Sequence, residues 1–132
     1  LDAKIRGDVV RAARRARRPV VLSHHDFRKT PSAARLDNVV LRGKKAGADV
    51  IKIATFVKNI ADVQKLVRLL SRHRSLPLVV IGMGMQGRVT RVLFPVLGSL
   101  FTFATLEKKT APGQLRLAET VRGIRKVRAL LR

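Results

Sequence analysis

The stretch Gly-Ala-Asp-Val-Ile-Lys-Ile-Ala-Thr-Phe at residues 47–56 decides the fold that we predict for this chain. Its centre is short, apolar and rich in β-branched side chains, which is typical of a buried strand. A lysine is unusual there, because burying an ammonium group is costly unless the group is paired or loses its proton. Desolvation lowers the pKa of a lysine, and a neutral amine in a pocket can attack a ketone to form an imine. The alternative for Lys52 is a side chain at the strand end that extends into solvent.

Similar apolar runs lie on both sides of this strand and alternate with helical patterns. We predict strands over residues 1–5, 19–24, 49–54, 77–82 and 100–105. We predict helices over residues 7–17, 32–46, 60–74, 87–97 and 116–131. Strands that alternate with helices indicate an α/β fold with parallel strands.

The composition limits the classes of protein that the chain can belong to. The absence of cysteine excludes disulfides and thiolate metal sites. No apolar run is long enough to span a membrane and residues 1–6 lack the apolar core of a secretory signal, so we expect a cytoplasmic protein. The net charge of +21 keeps a nucleic-acid-binding protein as an alternative function. Its five phenylalanines fall mostly in apolar runs, whereas stacking on single strands requires exposed aromatic side chains.

Polar and glycine residues follow the predicted strands at their carboxyl ends, where parallel α/β folds place their sites. They occur at residues 23–27, 52–55, 82–87 and 107–114. Strand alternation puts His24 and His25 on opposite faces of the second strand. If Lys52 points inward, the histidine on the inward face of the neighbouring strand can approach it, and an imidazole near an amine is a natural proton carrier.

Four segments in this order resemble the type I 3-dehydroquinate dehydratase family. Ser-His-His-Asp-Phe-Arg-Lys-Thr-Pro at 23–31 resembles its S-x-H-D-F-x-x-T-P motif, and residues 47–54 resemble the strand that carries its imine-forming lysine. Residues 82–91 resemble its M-G-x-x-G-x-x-S-R segment, and Ala-Pro-Gly-Gln at 111–114 resembles the loop that closes over the substrate.

The resemblance implies a TIM-type (β/α)8 barrel with parallel strands. Residues 1–132 would form a single partial barrel domain of about five β/α units, strands four to eight, with N-terminal strands one to three absent. It implies a lyase of the shikimate pathway of aromatic amino acid biosynthesis, which dehydrates 3-dehydroquinate to 3-dehydroshikimate without a metal or organic cofactor. The partner is then a small-molecule substrate, and a homodimer and an inactive remnant of the enzyme both stay open.

The resemblance also implies roles for individual residues. Lys52 would form the Schiff base and His25 would act as the general acid and base. The implied substrate-binding residues are Arg91, Gln114, Thr110 and Asp2. The implied pocket wall consists of Met83, Met85 and Phe103. Two positions depart from the family pattern: Thr110 stands where serine is usual, and Lys4 stands where glutamate is usual.

Overall fold

Three strands and five helices build the part of the chain that the structure describes. The computed structural model describes residues 3–108 and 110–131, with side chains in the first helix from Ile5 onward. The strands β1 (Val21–Asp26), β2 (Val50–Phe56) and β3 (Leu78–Met83) form one parallel sheet in that order. The helices are α1 (Ala3–Arg15), α2 (Ala33–Lys45), α3 (Ile60–Arg72), α4 (Thr90–Leu93) and α5 (Leu117–Ala129). A 3₁₀ turn, Gln86–Val89, leads directly into α4.

Polar side chains begin the two helices that cover the sheet. Ser32 precedes α2 and its hydroxyl accepts a hydrogen bond from Arg35 N at 3.4 Å. Asn59 precedes α3 and its side chain accepts from Asp62 N at 3.1 Å. Both contacts satisfy backbone N–H groups that have no partner inside the helix. The capping residue just before each helix therefore determines where that helix begins.

The two faces of the sheet are packed differently. Helices α2 and α3 cover one face and build the larger apolar cluster with it. The buried members of this cluster are Leu36, Val40, Ile51, Ile53, Val57, Val63, Leu66, Leu69, Leu70, Leu78, Val80 and Phe94. The other face carries a smaller buried cluster of Ala54, Val79, Ile81 and Met83. We call this second side the inner face, and it is where the candidate site lies.

The predicted pattern of parallel strands alternating with helices is confirmed, but the number of strands is not. The described residues contain three strands rather than five. The strand predicted over residues 1–5 is wrong for its described part, because residues 3–5 are the first residues of α1. A strand needs a neighbour for its backbone hydrogen bonds, whereas a helix satisfies them within its own segment. No further strand is paired with β1 in the described part of the chain, so helix is the satisfied conformation there.

The strand predicted over residues 100–105 is also wrong. Thr105 forms one isolated bridge with Arg116, and residues 101–104 are irregular. Leu100 N donates to Leu78 O at 2.8 Å, so the segment starts alongside β3. The hydroxyl of Ser99 accepts from Val80 N at 3.1 Å and thereby occupies the donor that a continuing strand would use.

The helix predicted over residues 87–97 is shorter and divided. Its start is the 3₁₀ turn, its middle is α4, and residues 94–98 form turns. Pro95 has no N–H group for a helical hydrogen bond, which ends the regular helix. None of the helices within residues 3–108 and 110–131 has the length and hydrophobicity that crossing a membrane requires.

Candidate active site

The register of the sheet places Lys52 and His25 on the same face. Ser23, Lys52 and Val79 lie side by side across the three strands, and His25 is two residues beyond Ser23. Side chains two positions apart on a strand share a face, and the separation along the strand is about 7 Å. His25 is therefore a diagonal neighbour of Lys52 on the inner face. His24 pairs with Ile53 and belongs to the opposite face.

Lys52 is a partly buried amine above apolar side chains. Its neighbour in register on β3 is Val79, which is fully buried. Its Nζ lies 4.4 Å from the centre of the Phe103 ring. Desolvation lowers the pKa of Lys52, and the positive charge of Arg91 lowers that pKa further. Both effects increase the fraction of neutral, nucleophilic amine at a given pH.

His25 is an exposed histidine on the inner face, diagonal to Lys52. Its ring stacks on Phe27 with the ring centres 5.9 Å apart and an angle of 9° between the planes. Partial burial lowers the pKa of His25, and the charges of Lys52 and His24 act in the same direction. The neutral imidazole, which can accept a proton, therefore predominates at neutral pH.

Arg91 is a deeply buried guanidinium in α4. Its side chain is 2% exposed, and burial lowers its pKa below the usual range. Nη1 donates to Phe103 O and Nη2 donates to Pro112 O, both at 3.2 Å. Nε is buried and has no hydrogen-bond partner within the described residues. A buried donor without a partner is costly to the folded state.

The segment 110–114, which we call the closing loop, is folded onto the turn after β3. Pro112 O accepts from Gly84 N at 3.2 Å. Gly113 has a φ of +73°, and a Cβ atom added there would lie 2.2 Å from Gly84 O. Gln114 is 5% exposed, and its Oε1 accepts from the backbone N of Thr110 at 2.7 Å and from its Oγ1 at 3.1 Å. Gln114 and Thr110 thus stabilise the loop itself.

The remaining residues that the sequence singled out lie in different environments. Met83 is 2% exposed and belongs to the inner-face cluster, whereas Met85 is 72% exposed. Phe103 is 40% exposed and contacts Lys52. Asp2 lies outside the described residues, as does the side chain of Lys4. The structure therefore brings Lys52, His25, Arg91 and Phe103 together and leaves Met85 in solvent.

The structure adds a pair of hydroxyl groups that sequence reasoning did not assign. Thr30 Oγ1 lies 3.0 Å from Thr55 Oγ1 and donates to Phe56 O at 3.0 Å. These contacts fix the segment after β1 to the end of β2, close to His25 and Lys52 in sequence. The threonine of the segment at 23–31 was the available signal, because its spacing from the histidine is part of the motif.

The fold and the site together define a parallel α/β protein with a desolvated lysine, a neighbouring histidine and a buried arginine on one sheet face. The sequence model of the family described as type I 3-dehydroquinase matches residues 1–129. The chain therefore belongs to the type I 3-dehydroquinase family.

Curated relatives and solved structures agree with this assignment. A 3-dehydroquinate dehydratase of Thermodesulfovibrio yellowstonii is 43% identical over 99 residues, which are 75% of this chain and 44% of the relative. One of Methanococcoides burtonii is 31% identical over 118 residues, which are 89% of this chain and 50% of the relative. The crystal structure of 3-dehydroquinate dehydratase from Geobacillus kaustophilus has a TM-score of 0.92 and 28% identity, covering 98% of this chain and 52% of that one. The chain thus spans about half the length of the relatives it matches.

Proposed function

We propose that this chain carries the imine-forming part of a type I 3-dehydroquinate dehydratase, a lyase that converts 3-dehydroquinate to 3-dehydroshikimate. One observation carries the proposal. The desolvated amine of Lys52 shares the inner face with His25, and the nearby charge of Arg91 lowers its pKa. A surface lysine or a structural arginine would not require this combination of groups.

The first stage of the proposed reaction is imine formation at Lys52. The lone pair of neutral Nζ attacks the C3 ketone carbon and gives a carbinolamine. The carbinolamine oxygen then leaves as water after protonation, and a protonated imine remains. The positive nitrogen withdraws electrons from the neighbouring C2–H bond, which makes that proton acidic.

The second stage is elimination of water from the substrate, with His25 as the proton carrier. Neutral His25 removes the C2 proton, and the C2–H electrons form an enamine. The resulting imidazolium gives its proton to the C1 hydroxyl, which departs as water while the C1–C2 double bond forms. Hydrolysis of the imine returns free Lys52 and the product.

Arg91 is the proposed partner of the substrate carboxylate. A guanidinium offers hydrogen-bond donors in a rigid plane that suits a carboxylate. Two of its nitrogens already hold the carbonyls of Phe103 and Pro112, which leaves the buried Nε as a donor for the ligand. Gln114 and Thr110 are proposed to hydrogen-bond substrate hydroxyls from the closing loop once their mutual contact is exchanged for the ligand.

The proposed architecture is a partial (β/α)8 barrel. We assign β1, β2 and β3 to three consecutive barrel strands, five to seven in the family order, and the segment 100–105 to the position of the eighth. A full barrel has eight strands, so residues 1–132 are proposed to be one part of such a domain. Homodimerisation also stays a prediction, which analytical ultracentrifugation of the purified chain would test.

Borohydride trapping tests the proposed function. The chain is incubated with 3-dehydroquinate and sodium borohydride, and peptides are examined by mass spectrometry. We expect the reduced adduct on Lys52 and its loss in Lys52→Ala. The matched control is Lys58→Ala, which removes an exposed lysine just after the same strand and should keep the adduct. An adduct that persists in Lys52→Ala, or none in the unaltered chain, would refute the proposal.

A further inference from the structure

The contact between Phe103 and Lys52 points to a role beyond lining a pocket. We propose that Phe103 is a positioning residue whose ring face stabilises positive charge on Lys52 Nζ, in the ammonium and in the protonated imine. The distance of 4.4 Å from Nζ to the ring centre is within the range of a cation–π contact. The part that concerns the imine rests on the proposed function, whereas the part that concerns the ammonium does not.

The ring is held in place from two directions. Phe101 packs edge-on against it, with ring centres 5.5 Å apart and planes at 69°. The backbone oxygen of Phe103 accepts from Arg91 Nη1 at 3.2 Å, which fixes the main chain of the segment to α4. One aromatic contact and one backbone hydrogen bond thus support the position in which Phe103 contacts the amine.

The Phe103 ring favours positive charge on Lys52 Nζ, whereas the other neighbours of Lys52 disfavour it. Desolvation and the charge of Arg91 on α4 both disfavour the ammonium form of Lys52. The positive charge of Lys52 lowers the pKa of His25 on β1. Because this repulsion is mutual, a protonated His25 would also disfavour the ammonium form of Lys52. The face of Phe103 carries the negative part of the ring quadrupole and favours a cation on Nζ. Phe103 therefore lets a cation form at a site that otherwise opposes it.

The contact between Phe103 and Nζ matters at the step in which the carbinolamine becomes the protonated imine. The carbinolamine at Nζ is neutral, and loss of its oxygen as water leaves a positive charge on the nitrogen. A ring face attracts the cation much more strongly than the neutral species. Phe103 is thus proposed to shift the balance from carbinolamine toward protonated imine.

Phe103→Leu separates the ring face from simple desolvation, because leucine is apolar but has no π system. Loss of the ring should destabilise the ammonium, so the fraction of neutral amine rises. Lys52 should then react faster with a neutral acylating reagent at pH values below its pKa. The protonated imine should be destabilised as well, so borohydride trapping should decrease. The two measurements are expected to change in opposite directions.

The experiment is competitive acetylation of the 132-residue chain with a trace of acetic anhydride near neutral pH. Mass spectrometry gives the rate at Lys52 relative to the exposed Lys58 in the same sample. We expect Phe103→Leu to increase the relative rate about 2- to 10-fold, from the usual strength of such contacts. Phe103→Tyr keeps a ring face and should leave the rate nearly unchanged. Phe101→Leu makes the same change at the ring that packs against Phe103. We expect a smaller increase there, because Phe103 itself still faces Nζ.

A second variant keeps the test valid if Phe103→Leu does not fold. Trifluorophenylalanine incorporated at position 103 weakens the negative ring face and keeps the ring shape, so it should also increase acetylation at Lys52. An unchanged or slower rate in both variants would overturn the proposal. An equal increase in Phe101→Leu would also overturn it, because the effect would then come from loosening of the segment.

The dehydratase function and the role of Phe103 can each be refuted without refuting the other. Acetylation requires no 3-dehydroquinate, so the expected rates without any borohydride adduct in the unaltered chain would refute the dehydratase and keep the role of Phe103. Trapping on Lys52 together with unchanged acetylation in the Phe103 variants would keep the dehydratase and refute the role of Phe103.

Discussion

Arg91 links three parts of the candidate site through one side chain. Its guanidinium holds the carbonyl of Phe103 in the segment after β3 and the carbonyl of Pro112 in the closing loop. Its charge also contributes to the lowered pKa of Lys52. A residue proposed for substrate binding therefore also supports the fold around the site.

Arg91→Lys should destabilise the chain although it keeps the charge. A lysine ammonium is compact and cannot hold both carbonyls in the geometry of a planar guanidinium. We expect the free energy of unfolding to fall by about 1–3 kcal/mol, since a buried carbonyl loses its partner. Urea denaturation followed by circular dichroism measures this change. Arg68→Lys on the exposed side of α3 is the control and should change stability little, and an equal loss there would contradict the prediction.

Strand alternation was sufficient to put His24 and His25 on opposite faces of their strand, and the motif at residues 23–31 then indicated His25 as the partner of Lys52. The period of two is a property of the strand itself, so a local pattern can predict it. The environment of Met85 could not be predicted in this way. Its position in a turn gives no period, and its exposure depends on which distant segments cover the turn. The contact of Phe103 with Lys52 likewise depends on the path of residues 100–105 beside the sheet.

The closing loop depends on a close approach of two backbone segments. Gly113 and Gly98 both have positive φ, at +73° and +108°. A Cβ atom at Gly98 would meet nothing within 4 Å, whereas one at Gly113 would overlap the backbone of Gly84. The two glycines therefore share a positive φ but differ in the space available for a Cβ atom.

We expect Gly98→Ala to lower the free energy of unfolding by about 1–2 kcal/mol, the usual cost of a left-handed alanine. Gly113→Ala should lower it by roughly twice as much, because the loop must also leave Gly84. Thermal unfolding of both variants measures the difference. Equal losses would show that the contact between the loop and the Gly84 turn contributes nothing.

Helices α2 and α3 are joined by a carboxylate that should make stability depend on pH. Asp37 on α2 lies 2.8 Å from His73 Nε2 and also accepts a hydrogen bond from Arg72. Burial alone would raise the pKa of Asp37, but the hydrogen bonds from His73 and Arg72 outweigh it and lower that pKa. A carboxylate with a lowered pKa stabilises the fold above its unfolded pKa of about 4, and that contribution is lost as the pH falls through its folded value.

Asp37→Asn should therefore destabilise the chain at pH 7 by about 1 kcal/mol, the usual strength of a partly exposed pair. The difference from the unaltered chain should shrink below about pH 4 and vanish at lower pH. Urea denaturation of both chains across this range measures it. A difference that stays constant with pH would contradict the assignment of this effect to the Asp37 carboxylate.

The sequence predicted the central elements well, whereas the strands predicted over 1–5 and 100–105 were wrong, for one physical reason. The helices predicted over 32–46 and 60–74 and the strands predicted over 49–54 and 77–82 differ from α2, α3, β2 and β3 by at most two residues at either end. Their periodic apolar side chains pack against one another in one cluster, so pattern and environment agree. The segments 1–5 and 100–105 resemble strands in pattern, but strand formation depends on neighbours that the pattern does not contain.

The whole molecule carries 29 basic and 8 acidic residues. Within the described residues, Asp8, Asp37, Asp49 and Asp62 form ion pairs with arginine, lysine or histidine side chains. Asp26 and Glu119 accept hydrogen bonds from backbone N–H groups. The acids are too few to pair with most of the basic residues. Such an excess of one sign destabilises a compact chain through self-repulsion.

Added salt should therefore stabilise this protein. Raising sodium chloride from about 0.1 M to about 1 M shortens the screening length from ~10 Å to ~3 Å. We expect the midpoint of thermal unfolding to rise by roughly 3–6 °C, measured by differential scanning calorimetry. A variant with Arg15, Arg122 and Arg125 changed to Gln, all exposed, should show a smaller rise. The same rise in both chains would show that repulsion between these surface cations is not the cause.

The high charge also bears on the open side of the sheet at β1, which pairs only with β2 in the described part of the chain. Unpaired strand edges are templates on which a second copy can add, and the result is fibrous or amorphous precipitate. The positive charge makes copies of the chain repel each other, which opposes pairing through their β1 edges. A polyphosphate would neutralise the surface cations and remove this protection. Copies would then associate through the β1 edge, and the solution would become turbid.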